Sequence, residues 1–112
     1  MDPIDKPLRW MVGTLQTPPV GAAARIEAGV LLRRLRGGES LGMPHSRPMQ
    51  EIGRRVRELR VNDRERRLSW RIICRIDPEA ILVVHWFDKK TQSTPKSVID
   101  LCKRRLQDYD RG

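Results

Sequence analysis

The apolar positions between residues 22 and 36 repeat every three or four residues, which is the spacing of one helix face. These positions are Ala24, Ala28, Leu31, Leu32 and Leu35. Two glycines, Gly37 and Gly38, follow at once and provide a C-terminal stop. The pattern therefore predicts a helix over residues 22–36.

Three later segments have the spacing of strands. Residues 56–61 and 70–76 alternate between two sides, and residues 81–87 are apolar almost throughout, as in a central strand covered on both faces. The sides are Val56, Glu58 and Arg60 against Arg57, Leu59 and Val61, then Trp70, Ile72, Cys74 and Ile76 against Arg71, Ile73 and Arg75. A tight turn over residues 77–80, with proline in second place, joins the last two strands. We expect an antiparallel meander over residues 54–87.

A second helix is predicted over residues 95–109, with Thr94 as its cap and Pro95 in its first turn. Its apolar face comprises Ile99, Cys102, Leu106 and Tyr109. Residues 1–20 form an extended arm with a short strand in 6–13, and residues 38–49, with two prolines and two glycines, form a loop. This order predicts a single α+β domain over residues 1–112, in which both helices cover one side of a twisted antiparallel sheet of three to four strands.

The net charge of the chain says more about its possible partners than its length does. The chain has 23 Lys and Arg against 14 Asp and Glu, for a formal net charge of +9. A small domain this basic is typical of proteins that meet a polyanion, such as a nucleic acid, a membrane surface or an acidic protein. No apolar run approaches the ~20 residues that span a bilayer, and the segment Met1–Asp5 lacks the basic start of a secretory signal. We therefore expect no membrane partner and a cytoplasmic location.

The cysteines and histidines point to no metal centre or cofactor. Cys74 and Cys102 stand alone and are expected to be reduced, buried thiols. His85, inside an apolar strand, is either a structural residue or a general base, and His45 in the predicted loop receives no role. Tyr109 either packs at the helix end or takes part in proton transfer.

Eight arginines lie between residues 54 and 71, which fits either a solvated edge or a phosphate-binding surface. They are Arg54, Arg55, Arg57, Arg60, Arg64, Arg66, Arg67 and Arg71. Alternation places Glu58 and Arg60 on one face of a strand, and Arg71 and Arg75 on one face of the next. If these faces coincide, a carboxylate lies among three guanidinium groups, an arrangement that could clamp a phosphodiester.

A second candidate for anion binding is the basic junction at residues 87–96. There a buried strand runs through Lys89 and Lys90 into a predicted helix N-terminus. Backbone amides and the helix dipole favour anions at such a position. The same spacing also fits an ordinary polar turn, and both interpretations stay open.

Several of these segments occur together, in this order, in a known family. The runs RELR (57–60), SWRI (69–72), HWFDKKTQSTP (85–95) and CKRRL (102–106) resemble the phage-derived HigB-like branch of the RelE/ParE toxin superfamily, and KPLRW (6–10) is similar to its opening strand. The resemblance implies an α+β toxin of a type II toxin–antitoxin system. It also implies metal-independent cleavage of mRNA, usually on the ribosome, and a small antitoxin partner, often a helix-turn-helix protein.

The resemblance also implies roles for individual residues. Arg71 takes the position that contacts the scissile phosphate, and Lys90, with Lys89, takes the position of a leaving-group or phosphate contact. Glu58 stands where several relatives carry lysine. The base that removes the proton of the 2′-hydroxyl is expected to be Glu58, as in related toxins that use glutamate, or a substitute for it. The predicted catalytic residues are Glu58, Arg60, Arg71 and Lys90. The predicted RNA-phosphate contacts are Arg57, Arg75, Lys89 and Lys96, the last near a position where some relatives have a catalytic tyrosine.

The chemistry expected from these roles is attack of an RNA 2′-hydroxyl on the adjacent phosphorus, which yields a 2′,3′-cyclic phosphate. Two alternatives require no cleavage. One is a ParE-like toxin that binds DNA gyrase, and the other is a basic RNA- or ribosome-binding domain whose affinity falls steeply with salt and survives Arg71→Ala. Arg71 together with the Lys89-Lys90 pair favours the nuclease, because a gyrase binder has no need of a convergent phosphate cluster.

Overall fold

The computed structural model describes residues 5–112, so residues 1–4 of the predicted arm lie outside the described residues. Within these described residues, five strands and two helices follow one another. They are β1 (Leu8–Trp10), α1 (Ala22–Arg36), β2 (Ser46–Pro48), β3 (Val56–Asp63), β4 (Leu68–Ile76), β5 (Ile81–Asp88) and α2 (Lys96–Arg111). The predicted α+β class is confirmed, and α1 has the predicted bounds.

The strands form one sheet in the order β1-β5-β4-β3-β2. The meander of β3, β4 and β5 is antiparallel, as predicted, and the turn before β5 is closed by a hydrogen bond from the Asp77 N–H to the Ala80 carbonyl at 2.9 Å. The sheet is larger than predicted and mixed, because β1 pairs parallel to β5 and β2 pairs antiparallel to β3. Thus the meander is extended at both edges by three-residue strands.

Strand β2 lies inside the segment predicted to be a loop. It is only three residues long, and its last residue, Pro48, cannot donate a backbone hydrogen bond. Such a residue is tolerated on an edge strand, where one side of the backbone has no partner strand. The proline signal was therefore read correctly as a break, but it does not exclude a short edge strand.

The two helices cover opposite faces of the sheet, so the prediction that both cover one side is wrong. We call the side of the sheet that α1 covers the α1 face, and its core contains Leu59, Ile72 and Val83. The opposite side, covered by α2, is the α2 face, and its core contains Ile73 and Leu82. Neighbouring residues of β4 and β5 thus point into different cores. The unbroken apolar run of β5 is the signal of this coverage, because a strand with a solvated face would alternate.

Helix α2 begins one residue later than predicted and ends at Arg111. Its N-cap residue is Pro95, and no side chain caps it. The prediction that Thr94 is the cap is wrong, because its hydroxyl donates instead to Glu58 Oε2 at 3.0 Å. This contact ties the start of α2 to the middle of β3.

A buried carboxylate joins α1 to the β3–β4 hairpin. Asp63 accepts hydrogen bonds from the Gly21 N–H at 2.7 Å and from the Trp70 indole at 3.0 Å. Burial raises the pKa of Asp63, but these two donors and the Arg66 N–H together lower it by more. The pKa of Asp63 therefore lies below the usual carboxyl value. A Cβ at Gly21 would lie 2.5 Å from Asp63 Oδ1, which explains why a glycine precedes the helix.

Both cysteines are free and buried, as predicted, and they lie in different cores. Burial raises the pKa of Cys74 to about 12 and that of Cys102 to about 11. Neither thiol is therefore suited to nucleophilic chemistry near neutral pH. Neither of the two helices within residues 5–112 is long and apolar enough to cross a membrane.

Candidate functional site

Three neighbouring strands place charged side chains together on the α2 face. In the strand register Arg47 of β2 lies opposite Glu58 of β3, and Arg60 of β3 lies opposite Arg71 of β4. Side chains two residues apart on a strand share a face. The predicted faces of β3 and β4 therefore do coincide, and Glu58 lies among three guanidinium groups.

The Glu58 carboxylate is the centre of this group, which we call the Glu58 cluster (Arg47, Glu58, Arg60, Arg71 and Thr94). Its side chain has no exposed surface. Glu58 Oε1 lies 3.1 Å from the Nε of Arg47 and 3.5 Å from the Nε of both Arg60 and Arg71. The Thr94 hydroxyl donates to Oε2. One carboxylate thus serves three arginines, so their charge is only partly balanced.

Two buried nitrogens of the cluster have unused hydrogen-bonding capacity. The Nε atoms of Arg60 and Arg71 form no hydrogen bond with any of residues 5–112. Burial lowers the pKa of Arg71, and the charges of Arg60 and Arg47 lower it further, against the opposing effect of Glu58. Buried donors without partners are costly, and the excess positive charge around Glu58 would attract an anion to the exposed parts of these side chains.

Lys89 belongs to the same electrostatic environment, and Lys90 does not. Burial lowers the pKa of Lys89, Glu58 raises it, and the three cluster arginines lower it again, so the net shift is downward. In contrast, the Lys90 side chain is 81% exposed and lies 3.8 Å from Asp88. The cluster with Lys89 therefore holds four cations against one carboxylate.

Of the eight predicted site residues, the structure brings together Glu58, Arg60, Arg71 and Lys89. The other four, Lys90, Arg57, Arg75 and Lys96, lie elsewhere. Arg57 points to the α1 face of β3, where its Nε donates to Ser46 Oγ at 2.7 Å. Lys96 is exposed and pairs with Asp100 one helical turn later. Strand and helix phase separate these side chains from the cluster even though they are close in sequence.

Arg75 is the predicted phosphate contact that differs most from expectation. Its guanidinium forms paired hydrogen bonds with Asp77, at 2.7 and 2.9 Å, and with Asp110 on α2, also at 2.7 and 2.9 Å. These bonds raise its pKa, and they leave little capacity for a phosphate. Arg47 takes the place that Arg75 was expected to have beside Glu58.

Arg47 and Thr94 belong to the cluster, although the sequence patterns predicted neither of them. Arg47 lies in the short edge strand that was read as a loop, so no face could be assigned to it. Thr94 was read as a helix cap, which is the usual role of threonine before a helix. Only the pairing of β2 with β3 and the position of α2 reveal that both side chains reach Glu58.

The two other candidate residues, His85 and Tyr109, have packing contacts typical of structural residues. His85 Nδ1 lies 3.2 Å from Arg105 Nη1, and its ring stacks on Phe87. Burial and Arg105 lower the pKa of His85, which favours the structural interpretation. The Arg75 guanidinium lies 5.9 Å above the Tyr109 ring, so this tyrosine packs near the helix end.

The dense run of arginines does not form one surface. Arg60 and Arg71 belong to the cluster, whereas Arg54 and Arg55 line a groove at the opposite end of β3 and Arg64 lies at the hairpin beside Asp63. Among residues 5–112, no three His, Cys, Asp or Glu side chains lie together as potential metal ligands. The residues that do converge form a site suited to an anion.

Comparison with known protein families gives one match. The family described as Phage derived protein Gp49-like (DUF891) matches residues 20–107, which include every residue of the Glu58 cluster. Neither a curated protein nor a solved structure matches the chain. The chain belongs to the Gp49-like family of phage-derived proteins, which is part of the RelE-like type II toxins and is associated with toxin–antitoxin systems.

Proposed function

We propose that this toxin is a metal-independent endoribonuclease that cleaves mRNA on the ribosome. The observation that carries the proposal is the unbalanced charge of the Glu58 cluster, in which Arg47, Arg60 and Arg71 share one buried carboxylate and Lys89 lies nearby. Cleavage of RNA by its own 2′-hydroxyl needs a positioned phosphate, stabilisation of the charge on the phosphorane, and proton transfer. The cluster offers the first two.

Arg60 and Arg71 bind the scissile phosphate in this proposal. Their side chains are 28% and 12% exposed, so both are restrained by packing while still reachable from solvent. A guanidinium can make two parallel hydrogen bonds to a phosphate. Their Nε atoms are buried 3.5 Å from Glu58 Oε1, so in this proposal the phosphate meets the outer parts of the two guanidinium groups, and the attraction grows as the phosphorane gains negative charge.

Lys89 assists the leaving 5′-oxygen. Its lowered pKa makes the ammonium a better proton donor than an ordinary lysine near neutral pH. The resemblance assigns this contact to Lys90 with Lys89, and the position of Lys89 beside the cluster supports Lys89 for the role. The catalytic role of Lys90 stays a prediction.

Glu58 positions the arginines. Both of its oxygens are in contact with cluster side chains, and its carboxylate is closed to solvent, so a ribose hydroxyl has no path to it. Its contacts with Arg60 and Arg71 instead hold two side chains from adjacent strands close to each other. We therefore assign Glu58 as a positioning residue rather than as the base.

The antitoxin partner and the ribosome fit the same charge distribution. The net charge of +9 favours both an acidic antitoxin surface and ribosomal RNA. We propose that the antitoxin is a small helix-turn-helix protein and that the toxin acts in the cytoplasm, as the resemblance implies. Binding of an acidic partner over the cluster would block RNA by occupying the same cations.

Induced expression in a bacterial host, with RNA 5′ ends mapped afterwards, tests the nuclease. Growth arrest with new cuts inside translated messages is expected for the wild type and for Arg104→Ala, which removes an exposed arginine from α2. Both effects should be lost in Arg71→Ala. Lys89→Ala should reduce cleavage more than Lys90→Ala does. The reverse order would return the leaving-group role to Lys90.

Two other results would overturn the proposal. Arrest without new RNA ends would indicate a toxin that binds its target, as in the gyrase alternative. Absence of arrest, with salt-sensitive RNA binding that survives Arg71→Ala, would indicate a binding domain without catalysis. In purified assays, cleavage of an all-deoxy copy of a cut site would exclude attack by a 2′-hydroxyl, because that substrate lacks the attacking group.

A further inference from the structure

A pocket of about 280 Å³ opens beside the Glu58 cluster, and the proposed function assigns roles only to its two arginines. Its lining comes from four parts of the chain: α1, the segment before β2, β3 and β4. The lining residues are Glu27, Pro44, His45, Arg60, Asn62 and Arg71. The two arginines that we assign to the phosphate therefore form one wall of a pocket that also contains a histidine.

The backbone of His45 is hydrogen-bonded next to the cluster. Its carbonyl accepts the Arg60 N–H at 2.8 Å, and its own N–H donates to the Gly42 carbonyl at 3.1 Å. Both backbone groups are thus fixed, one of them directly to the strand that carries Arg60. The residue itself is exposed and lines the pocket. An exposed imidazole on a fixed backbone is accessible to a substrate bound at Arg60 and Arg71.

The proposed reaction needs a proton acceptor that the cluster does not supply. The Glu58 carboxylate is buried, and the arginines and Lys89 are cations. The remaining titratable groups that line the pocket are Glu27 and His45. A carboxylate at Glu27 would repel the approaching phosphate, whereas a neutral imidazole can accept a proton without adding negative charge, and histidine exchanges protons near neutral pH.

We propose that His45 is a catalytic residue that accepts the proton of the attacking 2′-hydroxyl; this inference rests on the proposed ribonuclease function. The O–H bond breaks as its proton moves to the imidazole, and the 2′-oxygen forms a bond to phosphorus. The bond from phosphorus to the 5′-oxygen breaks, and that oxygen takes a proton from Lys89. The products are a 2′,3′-cyclic phosphate and a 5′-hydroxyl, after which the imidazolium gives its proton to water and Lys89 regains a proton from water.

The test compares the two histidines of the chain in purified toxin acting on ribosome-bound message. His45→Ala should slow cleavage by roughly 10²–10⁴-fold, the usual contribution of a general base, with unchanged binding of the message. The wild-type rate should fall on the acid side as the imidazole becomes protonated, and this limb should be absent in His45→Ala. Added imidazole should restore part of the rate.

His85→Asn is the matched control and should keep the acid limb, because His85 packs against Arg105 and Phe87. The charged groups that face His45 in the pocket are Glu27, Arg60 and Arg71, of which only Glu27 can add a limb on the acid side. Glu27→Gln should therefore leave the limb in place, and its loss in that variant would overturn the assignment to His45.

Failure of this inference differs from failure of the proposed function. If wild-type toxin cuts message and His45→Ala cuts it equally fast with the same pH profile, the nuclease stands and the role of His45 is wrong. If folded wild-type toxin makes no cuts, the proposed function fails, and the inference fails with it. Loss of message binding in His45→Ala would also contradict a role confined to proton transfer.

Discussion

Arg71 and Arg75 lie four residues apart on the same face of β4, yet their electrostatic surroundings are opposite. Arg75 is matched by two carboxylates, Asp77 and Asp110, each through two hydrogen bonds. Arg71 shares the single carboxylate of Glu58 with two other arginines. Hydrogen bonds to Asp110 and Asp77 raise the pKa of Arg75, whereas burial lowers that of Arg71.

The difference teaches that the number of counter-charges distinguishes a structural arginine from a binding one. Arg75 connects β4 to the last turn of α2 through Asp110, and its charge is fully compensated within the fold. Arg71 keeps uncompensated charge and a free Nε donor at the end of the sheet where the pocket opens. Arg71 and Arg75 are the same residue type on the same face of the same strand. The carboxylates around each guanidinium therefore decide which arginine can bind an anion.

The largest effect on stability is expected for Arg75→Met. Among residues 5–112, this change leaves the exposed Arg55, at 3.6 Å, as the one cation paired with the buried Asp77. Removing one partner of a buried ion pair costs roughly 3–5 kcal/mol in the free energy of unfolding. Chemical denaturation of the purified variant measures this change. A loss below about 1 kcal/mol, the range of surface pairs, would show that Arg75 is not a structural tie.

A smaller loss of stability, about 2 kcal/mol, is expected for Glu58→Gln, because a hydrogen bond to a charged group contributes roughly 1.5–3 kcal/mol. The variant keeps an acceptor for Thr94 but removes the counter-charge of three arginines. Affinity for RNA at low salt should therefore rise while cleavage falls. Titration with labelled RNA and a cleavage assay measure the two effects, and an unchanged cleavage rate in the folded variant would contradict the positioning role of Glu58.

Arg71→Met makes the same substitution as Arg75→Met at the other site and should change stability by only about 1 kcal/mol. Glu58 keeps Arg47 and Arg60 as partners, and the loss of one cation relieves repulsion among them. Cleavage should fall by roughly 10²–10³-fold, the usual effect of removing one group that stabilises transition-state charge. If Arg71→Met unfolds the protein as readily as Arg75→Met does, the contrast between the two arginines is wrong.

The sequence predicted the elements well where one periodicity dominates, as in α1 and the three-strand meander. Alternation also placed Glu58 and Arg60 on one face of β3 and Arg71 on one face of β4, but it left open whether these two faces coincide, which the pairing of the strands shows. The sequence could not predict that Arg47 and not Arg75 is the third arginine. That choice depends on the pairing of a three-residue edge strand and on Asp110, which lies 35 residues after Arg75 and reaches it only in the folded chain.

The placement of α2 was beyond the sequence for a similar reason. A helix periodicity shows which side of a helix is buried but not which face of the sheet receives it. Only the unbroken apolar run of β5 carried that information. The role of Thr94 in the Glu58 cluster depends on the same placement, because its contact with Glu58 requires α2 to begin over the α2 face of β3.

The smallest effect is expected at the exposed end of the Arg75 network. Asp110 is 55% exposed, so Asp110→Asn should cost less than about 1 kcal/mol at neutral pH. The Arg75 hydrogen bond lowers the pKa of Asp110 in the folded state. A lowered pKa adds stability that is complete above the ordinary carboxyl value of about 4 and disappears as the pH falls through the lowered value. Denaturation at a series of pH values should therefore show a smaller acid loss in Asp110→Asn than in wild type. Asp108→Asn, an exposed carboxylate change on the same helix, is the control and should keep the wild-type slope. If both variants lose less stability at acid pH than wild type by the same amount, the pH dependence arises from the general charge of α2 rather than from the ion pair of Asp110 with Arg75.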